Sequence, residues 1–236
     1  MCGIAGVVAL SDKGRQQVSK LRQSIRTLQT RGPDDEGIFL CEDMGLAQRR
    51  LAIIDTSAAG NQPMWDRTKR YTIIFNREIF NYQELRSKYF TGKELQQLRT
   101  SSDTEILLEL FIKQGEKCLP LLEGFFAFAI YDTQTKDLFI ARDRFGKKPL
   151  NFFVDDDRFI FASELKALYD FGIPKELNYE ALQLYLQLSY IPQPMSMLKH
   201  VRKIEPGSWL KLSGKNIEEK KWDEFSPSYE YKNVPS

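Results

Sequence analysis

The stretch Met1-Cys2-Gly3-Ile4-Ala5-Gly6-Val7-Val8-Ala9-Leu10 joins a thiol directly to a continuous apolar run. Residues 4–10 are typical of a strand that is buried on both faces. If Met1 is removed, as a small second residue favours, Cys2 carries a thiol and an α-amine together. The ordinary pKa of such an amine is near ~7.7–8.0, so it can exchange a proton with the thiol at neutral pH. The stretch predicts either a nucleophile with its own base or an ordinary small residue at the start of a strand.

The composition is typical of a globular protein. The chain has 236 residues, 42% of them hydrophobic, which is enough for one large domain or two small ones. A net charge of +2 with scattered basic residues gives no indication of a nucleic-acid partner. No run approaches the ~18 apolar residues of a transmembrane helix, and no basic segment precedes the short apolar N-terminus. We therefore expect a cytoplasmic protein that binds neither membranes nor nucleic acids.

Cysteine and histidine are scarce. The cysteines at positions 2, 41 and 118 are too few and too widely spaced for a disulfide framework or a structural zinc site. A single histidine, His200, excludes most metal chemistry, and we expect no metal site. A nucleophilic enzyme of this composition needs a base other than histidine, and the α-amine of Cys2 is the candidate.

The hydrophobic pattern predicts short strands with a few flanking helices. Because strands and helices do not alternate strictly, we expect antiparallel sheets covered by helices, an α+β fold. The folded domain is expected over residues 1–212, followed by a charged, aromatic tail over residues 213–236. Helices are predicted over residues 15–29, 82–89, 103–114, 164–169 and 179–187, and strands over residues 4–10, 37–40, 44–48, 51–54, 71–75, 125–131, 138–142, 151–154, 159–163 and 209–212.

Three polar residues stand at the ends of predicted elements. Arg50 precedes an apolar strand and could hold a carboxylate, while Asn76 follows a strand and could donate to an oxyanion. Asp103 begins a helix, where it is an N-cap candidate together with Ser101 and Ser102, and it could also accept an ammonium group. A rim arginine, a turn asparagine and a helix cap are the ordinary alternatives. Together with Cys2, however, these residues are what an enzyme needs to bind an α-amino acid and attack its side-chain carbonyl.

Ordered motifs that run through the chain resemble one family. They lie at residues 1–6 (MCGIAG), 31–34 (RGPD), 50–55 (RLAIID), 62–64 (QPM), 75–82 (FNREIFNY), 102–105 (SDTE), 124–129 (GFFAFA), 141–146 (ARDRFG), 162–167 (ASELKA) and 201–207 (VRKIEPG). The chain resembles the N-terminal glutaminase domain of the asparagine synthetases, which are class II glutamine amidotransferases of the N-terminal-nucleophile hydrolase superfamily. The resemblance implies a four-layer αββα sandwich with two antiparallel sheets.

The resemblance also implies a reaction and its residues. Glutamine would form a γ-glutamyl thioester on Cys2, ammonia would leave, and water would release glutamate. The α-amine of Cys2 would act as general base and acid, Arg50 would bind the substrate carboxylate, and Asp103 its ammonium group. Asn76 and the backbone N–H of Arg77 would stabilise the oxyanion. Further residues that would line the glutamine pocket are Leu51, Ala52, Ile53, Ile54 and Glu78.

The resemblance further implies partners. These are L-glutamine and an ATP-pyrophosphatase synthetase domain or subunit. The synthetase unit would take up the ammonia to form asparagine or a related amide. A homodimer is an additional expectation. ATP and magnesium would bind only in the synthetase unit, whose Ser-Gly-Gly-x-Asp-Ser loop does not occur in this sequence. No cofactor is expected in the chain itself.

One motif departs from the family pattern. The family's Asn-Gly-Glu is Asn76-Arg77-Glu78 in this chain. If the glycine serves a backbone conformation that other residues rarely adopt, arginine costs about 1 kcal/mol or more there. The N–H of position 77 remains, so the oxyanion donor is not deleted, and Arg77 would either displace this donor or point outward without harm. The sequence therefore predicts an active glutaminase, with a weakened glutamine-binding or interaction module as the alternative.

Overall fold

The structure is a computed structural model that describes residues 2–51, 60–76 and 78–223. Its strands are β1 (Gly3–Ala9), β2 (Asp35–Leu40), β3 (Met44–Arg50), β4 (Met64–Trp65), β5 (Tyr71–Asn76), β6 (Ala127–Asp132), β7 (Leu138–Arg142), β8 (Asn151–Val154), β9 (Arg158–Ala162), β10 (Val201–Lys203), β11 (Ser208–Ser213) and β12 (Asn216–Lys221). Its helices are α1 (Asp12–Arg15), α2 (Leu21–Arg26), α3 (Tyr82–Tyr89), α4 (Lys93–Gln97), α5 (Asp103–Gln114), α6 (Leu165–Tyr169) and α7 (Tyr179–Leu188), with 3₁₀ helices at Val18–Lys20 and Gly115–Leu121.

The strands form two antiparallel sheets. The first sheet, in the order β10-β8-β9-β1-β3-β2, contains the apolar N-terminal strand near its centre. The second sheet has the order β12-β11-β7-β6-β5-β4. Within the first sheet, Gly3 is opposite Arg49 and Ala5 is opposite Ala162, so β1 is paired along both edges. The predicted antiparallel α+β fold is confirmed.

Three apolar layers hold the sandwich together. The central layer lies between the sheets and includes Ile4 and Phe161. Helices α2 and α6 cover the outer face of the first sheet through residues such as Ile25 and Leu168, and α3 and α5 cover the second sheet. Gly6 is required in the central layer, because a Cβ atom there would lie 2.3 Å from the ring of Phe161. The order of layers is helix, sheet, sheet, helix, as the resemblance implied.

Two helix predictions need correction. The helix predicted over residues 15–29 is interrupted and consists of α1, a 3₁₀ turn and α2, although its apolar residues are buried as expected, Leu21 and Leu28 among them. Asp103 is not the N-cap of α5 but its first residue. Ser102 is the cap, because its backbone is extended and its side-chain oxygen accepts the N–H of Glu105 at 3.4 Å.

The folded part extends beyond the predicted boundary at residue 212. That boundary falls inside β11, whose residue Ser208 is opposite Lys221 in β12. The strand β12 is charged and exposed on most of its length, so it lacks the apolar alternation by which strands are identified. Residues 224–236 of the predicted tail lie outside the described residues. Within the described ranges, no helix is both long and apolar enough to cross a bilayer.

Candidate functional site

Cys2 lies at the entrance to β1 and is buried. Its Sγ atom is 3.5 Å from the backbone nitrogen of Leu51, whose N–H points to it, and 3.7 Å from the carbonyl oxygen of the same residue. The start of β1 is held by Ser163, whose Oγ accepts the N–H of Ile4 at 3.0 Å and whose own N–H donates to the Ile4 carbonyl at 2.9 Å. The thiol is therefore fixed between two strand ends, beside the residue that follows β3.

Arg31 holds the backbone of Cys2. Its Nε donates to the Cys2 carbonyl at 2.9 Å, and its Nη1 donates to Glu164 at 3.0 Å. Burial alone would raise the pKa of Glu164, but the hydrogen bonds from Arg31 and Lys166 outweigh burial and hold this pKa below its ordinary value. Glu164 therefore stays ionised at neutral pH and fixes the guanidinium that positions Cys2.

The loop that carries Arg31 also contacts Arg50. The N–H of Asp34 donates to the Arg50 carbonyl at 3.0 Å. Gly32 allows this approach, because a Cβ atom there would lie 2.3 Å from the carbonyl carbon of Arg49. The side chain of Arg50 is buried, and its Nη1 donates to Asn61 Oδ1 at 2.5 Å. One rigid loop thus supports both Cys2 and the arginine expected to bind a carboxylate.

Asn76 ends β5 as a fully buried residue. In the part of the chain that the structure describes, neither the nitrogen nor the oxygen of its side-chain amide has a hydrogen-bond partner. An unpaired buried polar group costs about 1–3 kcal/mol, so such a group in a folded protein calls for an explanation. A donor that is held in place without a partner can instead bind a negatively charged oxygen of a ligand.

Gln62 connects Asn76 with the start of α5. Its Oε1 accepts the N–H of Phe75 at 2.6 Å, and its Nε2 donates to Thr104 Oγ1 at 3.2 Å. On the other side of Phe75, its carbonyl accepts a 2.8 Å hydrogen bond from Gln48 of the first sheet. The backbone of β5 just before Asn76 is therefore held by the first sheet through Gln48 and by α5 through Gln62.

Asp103 and Glu78 lie next to this network. The buried carboxylate of Asp103 accepts the N–H of Ile79 at 3.4 Å. Glu78 exchanges backbone hydrogen bonds of 2.8 and 2.9 Å with Phe125. Gly124 leaves room for this pairing, since a Cβ atom there would lie 2.0 Å from the Glu78 carbonyl oxygen. The first turn of α5 and the segment after β5 are thus in direct contact.

Comparison with known families identifies the domain. A family model described as a glutamine amidotransferase domain matches residues 1–223, which include both sheets and all of the residues discussed above. The chain belongs to this glutamine amidotransferase family. The match to the amidotransferase domain also continues past residue 212, in agreement with the pairing of β12.

Similar proteins include longer, glutamine-hydrolysing enzymes. Asparagine synthetase (glutamine-hydrolyzing) 1 of Bacillus subtilis is 39% identical over 214 residues, which cover 88% of this chain and 33% of the relative. Asparagine synthetase (glutamine-hydrolyzing) 2 of Arabidopsis thaliana is 39% identical over 171 residues, which cover 72% of this chain and 29% of the relative. The amidotransferase chain spans about a third of the length of these relatives. The resemblance to the glutaminase domains of asparagine synthetases is confirmed.

A solved structure supports the fold. Glutamine phosphoribosylpyrophosphate amidotransferase from B. subtilis superposes with a TM-score of 0.67 at 19% identity, over 94% of this chain and 49% of the other. At this identity the likeness concerns the fold alone. It agrees with the two helix-covered antiparallel sheets of the amidotransferase domain described above.

The structure brings the predicted site residues that lie in its described part into one network of contacts. Contacts join Cys2 to Leu51, Leu51 follows Arg50, and Gln62 links the backbone beside Asn76 to the residue after Asp103. The roles assigned to these residues stay predictions. The predicted residues Ala52, Ile53, Ile54 and Arg77, together with Met1, lie outside the described residues.

Sequence reasoning missed two residues of this network. Arg31 was noticed only as part of the Arg31-Gly32-Pro33-Asp34 motif, and Gln62 only as part of Gln62-Pro63-Met64. A polar residue one or two positions before a proline was the available signal in both cases. Over the described ranges, no three His, Cys, Asp or Glu side chains come together in a group that could hold a metal ion.

Proposed function

We propose that the domain hydrolyses L-glutamine to glutamate and ammonia through a thioester on Cys2. The thiol loses its proton to the α-amine that removal of Met1 exposes, and Sγ forms a bond to the side-chain carbonyl carbon of glutamine. The carbon–nitrogen bond then breaks, and the amine proton leaves with ammonia. Water attacks the thioester, glutamate leaves, and the thiol is restored. Arg50 binds the glutamine carboxylate, and Asp103 binds its ammonium group.

The observation that carries this proposal is the unpaired amide of Asn76. When sulfur adds to the glutamine carbonyl, its oxygen becomes negatively charged and needs donors that are already in place. Asn76 is buried, fixed through the backbone of Phe75 by Gln48 and Gln62, and without a partner among the described residues. A nitrogen so placed can donate to the charged oxygen without first breaking another hydrogen bond.

The ammonia is proposed to pass to an ATP-dependent synthetase unit. The relatives in which this domain is recognised are glutamine-hydrolysing asparagine synthetases, of which the match covers about a third. The remaining part of such proteins would bind ATP and the acceptor acid and form asparagine or a related amide. In this assignment the chain supplies nitrogen and needs no cofactor of its own.

A second candidate function rests on Arg77. In the sequence Asn76-Arg77-Glu78, arginine stands where the family has glycine, and the N–H of this residue is the second expected oxyanion donor. Loss of one such donor typically lowers the rate ~100–1,000-fold. A domain weakened in this way would bind glutamine or a partner without useful turnover. An inert natural chain and an active Arg77→Gly variant would favour this second function, whereas equal activity of the two would exclude it.

Labelling of the thiol tests the proposed function. The purified chain is treated with a glutamine analogue that carries a chloromethyl ketone in place of the side-chain amide, and the adduct is located by peptide mass spectrometry. We expect labelling of Cys2 and protection by glutamine. Exposed Cys41 serves as the control for unspecific alkylation, and buried Cys118, whose pKa is raised to about 12 by burial, should remain unlabelled. Absence of an adduct at Cys2 would refute the proposal.

A further inference from the structure

Helix α7 exposes most of its apolar side chains. Of the eight large apolar residues that are exposed in the described part of the chain, five lie between residues 179 and 190. Tyr179 and Leu186 are 76% and 75% exposed, whereas Ala181 is the helix's buried residue. No described strand or helix packs along the length of α7. The five residues, here called the α7 surface, are Tyr179, Tyr185, Leu186, Leu188 and Tyr190.

The exposed apolar side chains of the α7 surface indicate that it packs against a protein partner. A ten-residue helix is marginal in water, and helices in proteins are normally stabilised by packing their apolar face. The helix has one charged residue, Glu180, and its N-cap Asn178 accepts the N–H of Ala181 at 3.1 Å. Neither feature offsets the exposure of so many tyrosine and leucine side chains. Exposed large apolar side chains in such number mark interaction sites, and the lack of charge favours an apolar partner surface.

The segment after α7 is fastened at the end of the sandwich that carries the nucleophile. In the first sheet, Lys203 is opposite Asn151, and Asn151 is opposite Ala162 at the end of β9. The next residue, Ser163, contacts the start of β1. The ammonium group of Lys203 donates to the carbonyl of Ile191 at 3.0 Å. The loop that follows the α7 surface therefore lies at the same sheet end as Cys2.

Arg142 fastens this loop to the second sheet. Arg142 and Asn76 are both opposite Ala127, so Arg142 lies at the sheet end of the oxyanion donor. Its buried guanidinium donates to Gln193 Oε1 at 2.8 Å and to the carbonyl of Gly146 at 2.6 Å. The loop that follows the α7 surface is thus anchored to both sheets at the end where ammonia would be released.

The last described residues are fastened at the same place. The indole N–H of Trp222 donates to the Arg142 carbonyl at 3.3 Å, and Asp223 forms an ion pair with Arg144. Phe145, next to Arg144, is exposed as well. Arg142 therefore joins the loop after the α7 surface to the segment around Trp222, at the end of the sandwich that carries the thiol.

We propose that the α7 surface is the docking site for the ATP-dependent synthetase unit that receives the ammonia. The inference rests on the proposed function and extends it to the geometry of the assembly. A unit that accepts ammonia from Cys2 has to approach the end of the sandwich where Cys2 and Asn76 lie, and the α7 surface flanks that end. A second copy of this domain has no acceptor for ammonia and gains nothing from that position. The partner surface is apolar, with hydrogen-bond acceptors for the tyrosine hydroxyls.

Site-specific crosslinking tests the proposal in the natural protein with its synthetase unit, whether in the same chain or as a separate subunit. The photoreactive residue p-benzoylphenylalanine replaces Leu186 in one sample and Val154 in the control. Val154 is an exposed apolar residue at the opposite end of β8 from Asn151. We expect peptides of the synthetase unit to be crosslinked to position 186 and not to position 154. Crosslinks from position 186 to a second copy of this domain, or none, would overturn the proposal.

A charged variant separates docking from catalysis. Leu186→Asp should weaken binding of a separate synthetase subunit about tenfold or more, or, in a continuous chain, lower glutamine-dependent amide synthesis by a similar factor. Glutamate release and ammonia-dependent synthesis should not change, and Val154→Asp should change none of these quantities. Unaltered binding and coupling in Leu186→Asp would contradict the docking proposal. Because the crosslink should also form in a Cys2→Ala background, failure of the glutaminase mechanism would leave the docking result intact.

Discussion

The guanidinium of Arg31 donates a 2.9 Å hydrogen bond to the main-chain carbonyl of Cys2 and a second hydrogen bond to Glu164. The residue expected to attack glutamine is thus held by its backbone carbonyl, while its thiol lies against the backbone N–H of Leu51. Because Glu164 is ionised at neutral pH, the position of the guanidinium is fixed. Arg31 is therefore a positioning residue that holds Cys2 through a hydrogen bond to its backbone.

Replacement of Arg31 should lower turnover more than substrate binding. A nucleophile displaced by about 1 Å costs ~100-fold in rate, so we expect Arg31→Met to reduce kcat by about one to two orders of magnitude with a smaller change in KM. Arg31→Lys should recover part of the loss, because it keeps the charge but not the two-pronged geometry. Lys166→Met is the matched control, since Lys166 also pairs with Glu164 but does not contact Cys2. Equal losses for Arg31→Met and Lys166→Met would show that the ion pair, and not the bond to Cys2, matters.

Asn76→Ala should reduce catalysis without reducing stability. Loss of one oxyanion donor lowers kcat ~100–1,000-fold. Removal of the unpaired Asn76 amide relieves the cost of about 1–3 kcal/mol of an unpaired buried group, which offsets the cost of the cavity that the shorter side chain leaves, so the free energy of unfolding should not fall. Asn151→Ala provides the comparison, because the Asn151 amide donates to the carbonyls of Ala162 and Ser163 and its loss should destabilise the domain. A large fall in stability for Asn76→Ala with kcat intact would assign Asn76 a structural role.

Gln62 should affect both stability and rate. In Gln62→Ala the buried N–H of Phe75 loses its acceptor, which costs about 1–3 kcal/mol of unfolding free energy. Because Phe75 precedes Asn76, kcat should fall as well. Gln62→Glu keeps the acceptor for Phe75 but not the donor to Thr104, so we expect an intermediate loss in urea denaturation and in kcat. Unchanged kcat in a clearly destabilised Gln62→Ala protein would show that the network does not position Asn76.

Stability should fall in acid through Asp132. Hydrogen bonds from Arg70 lower the pKa of Asp132 from 3.8 to about 2. Because the folded-state pKa lies below that of the unfolded chain, the stabilisation is present above pH 4 and is lost as the pH falls from 4 towards 2. Asp132→Asn should therefore cost about 1–2 kcal/mol of unfolding free energy at pH 7 and much less near pH 2.

Urea denaturation at several pH values measures the contribution of Asp132. Asp12→Asn is the control, because Asp12 also pairs with an arginine but is almost fully exposed. This variant should unfold like the wild type at each pH. The same loss for Asp132→Asn at pH 7 and near pH 2 would contradict the assignment to ionised Asp132.

The sequence predicted the apolar elements of the fold more successfully than its polar connections. Helix α5 and strand β7 have the predicted bounds, since their apolar residues recur at helical spacing or stand in one short run. Strand β12 was missed because an edge strand with charged side chains has no buried face to reveal it. The short strand β10 and helix α4 were missed as well.

The candidate site was predictable only in part. Cys2 and Asn76 could be selected by chemistry and by the family motifs. The bonds from Arg31 to Cys2 and from Gln62 to Phe75 join segments that are far apart in sequence, and no local pattern encodes such pairs. The absence of a partner for the Asn76 amide likewise depends on what surrounds it in three dimensions. Hydrogen-bond partners of buried polar groups therefore had to come from the structure.

The most direct test of the account is glutamate release by the wild-type chain and by Cys2→Ala, with the intact mass of both proteins measured in the same preparation. We predict that the wild-type chain has lost Met1 and releases glutamate and ammonia in equal amounts from glutamine. The Cys2→Ala protein should be folded and without measurable activity. Glutamate release that persists in Cys2→Ala, or none from a wild-type chain that has lost Met1, would contradict the account.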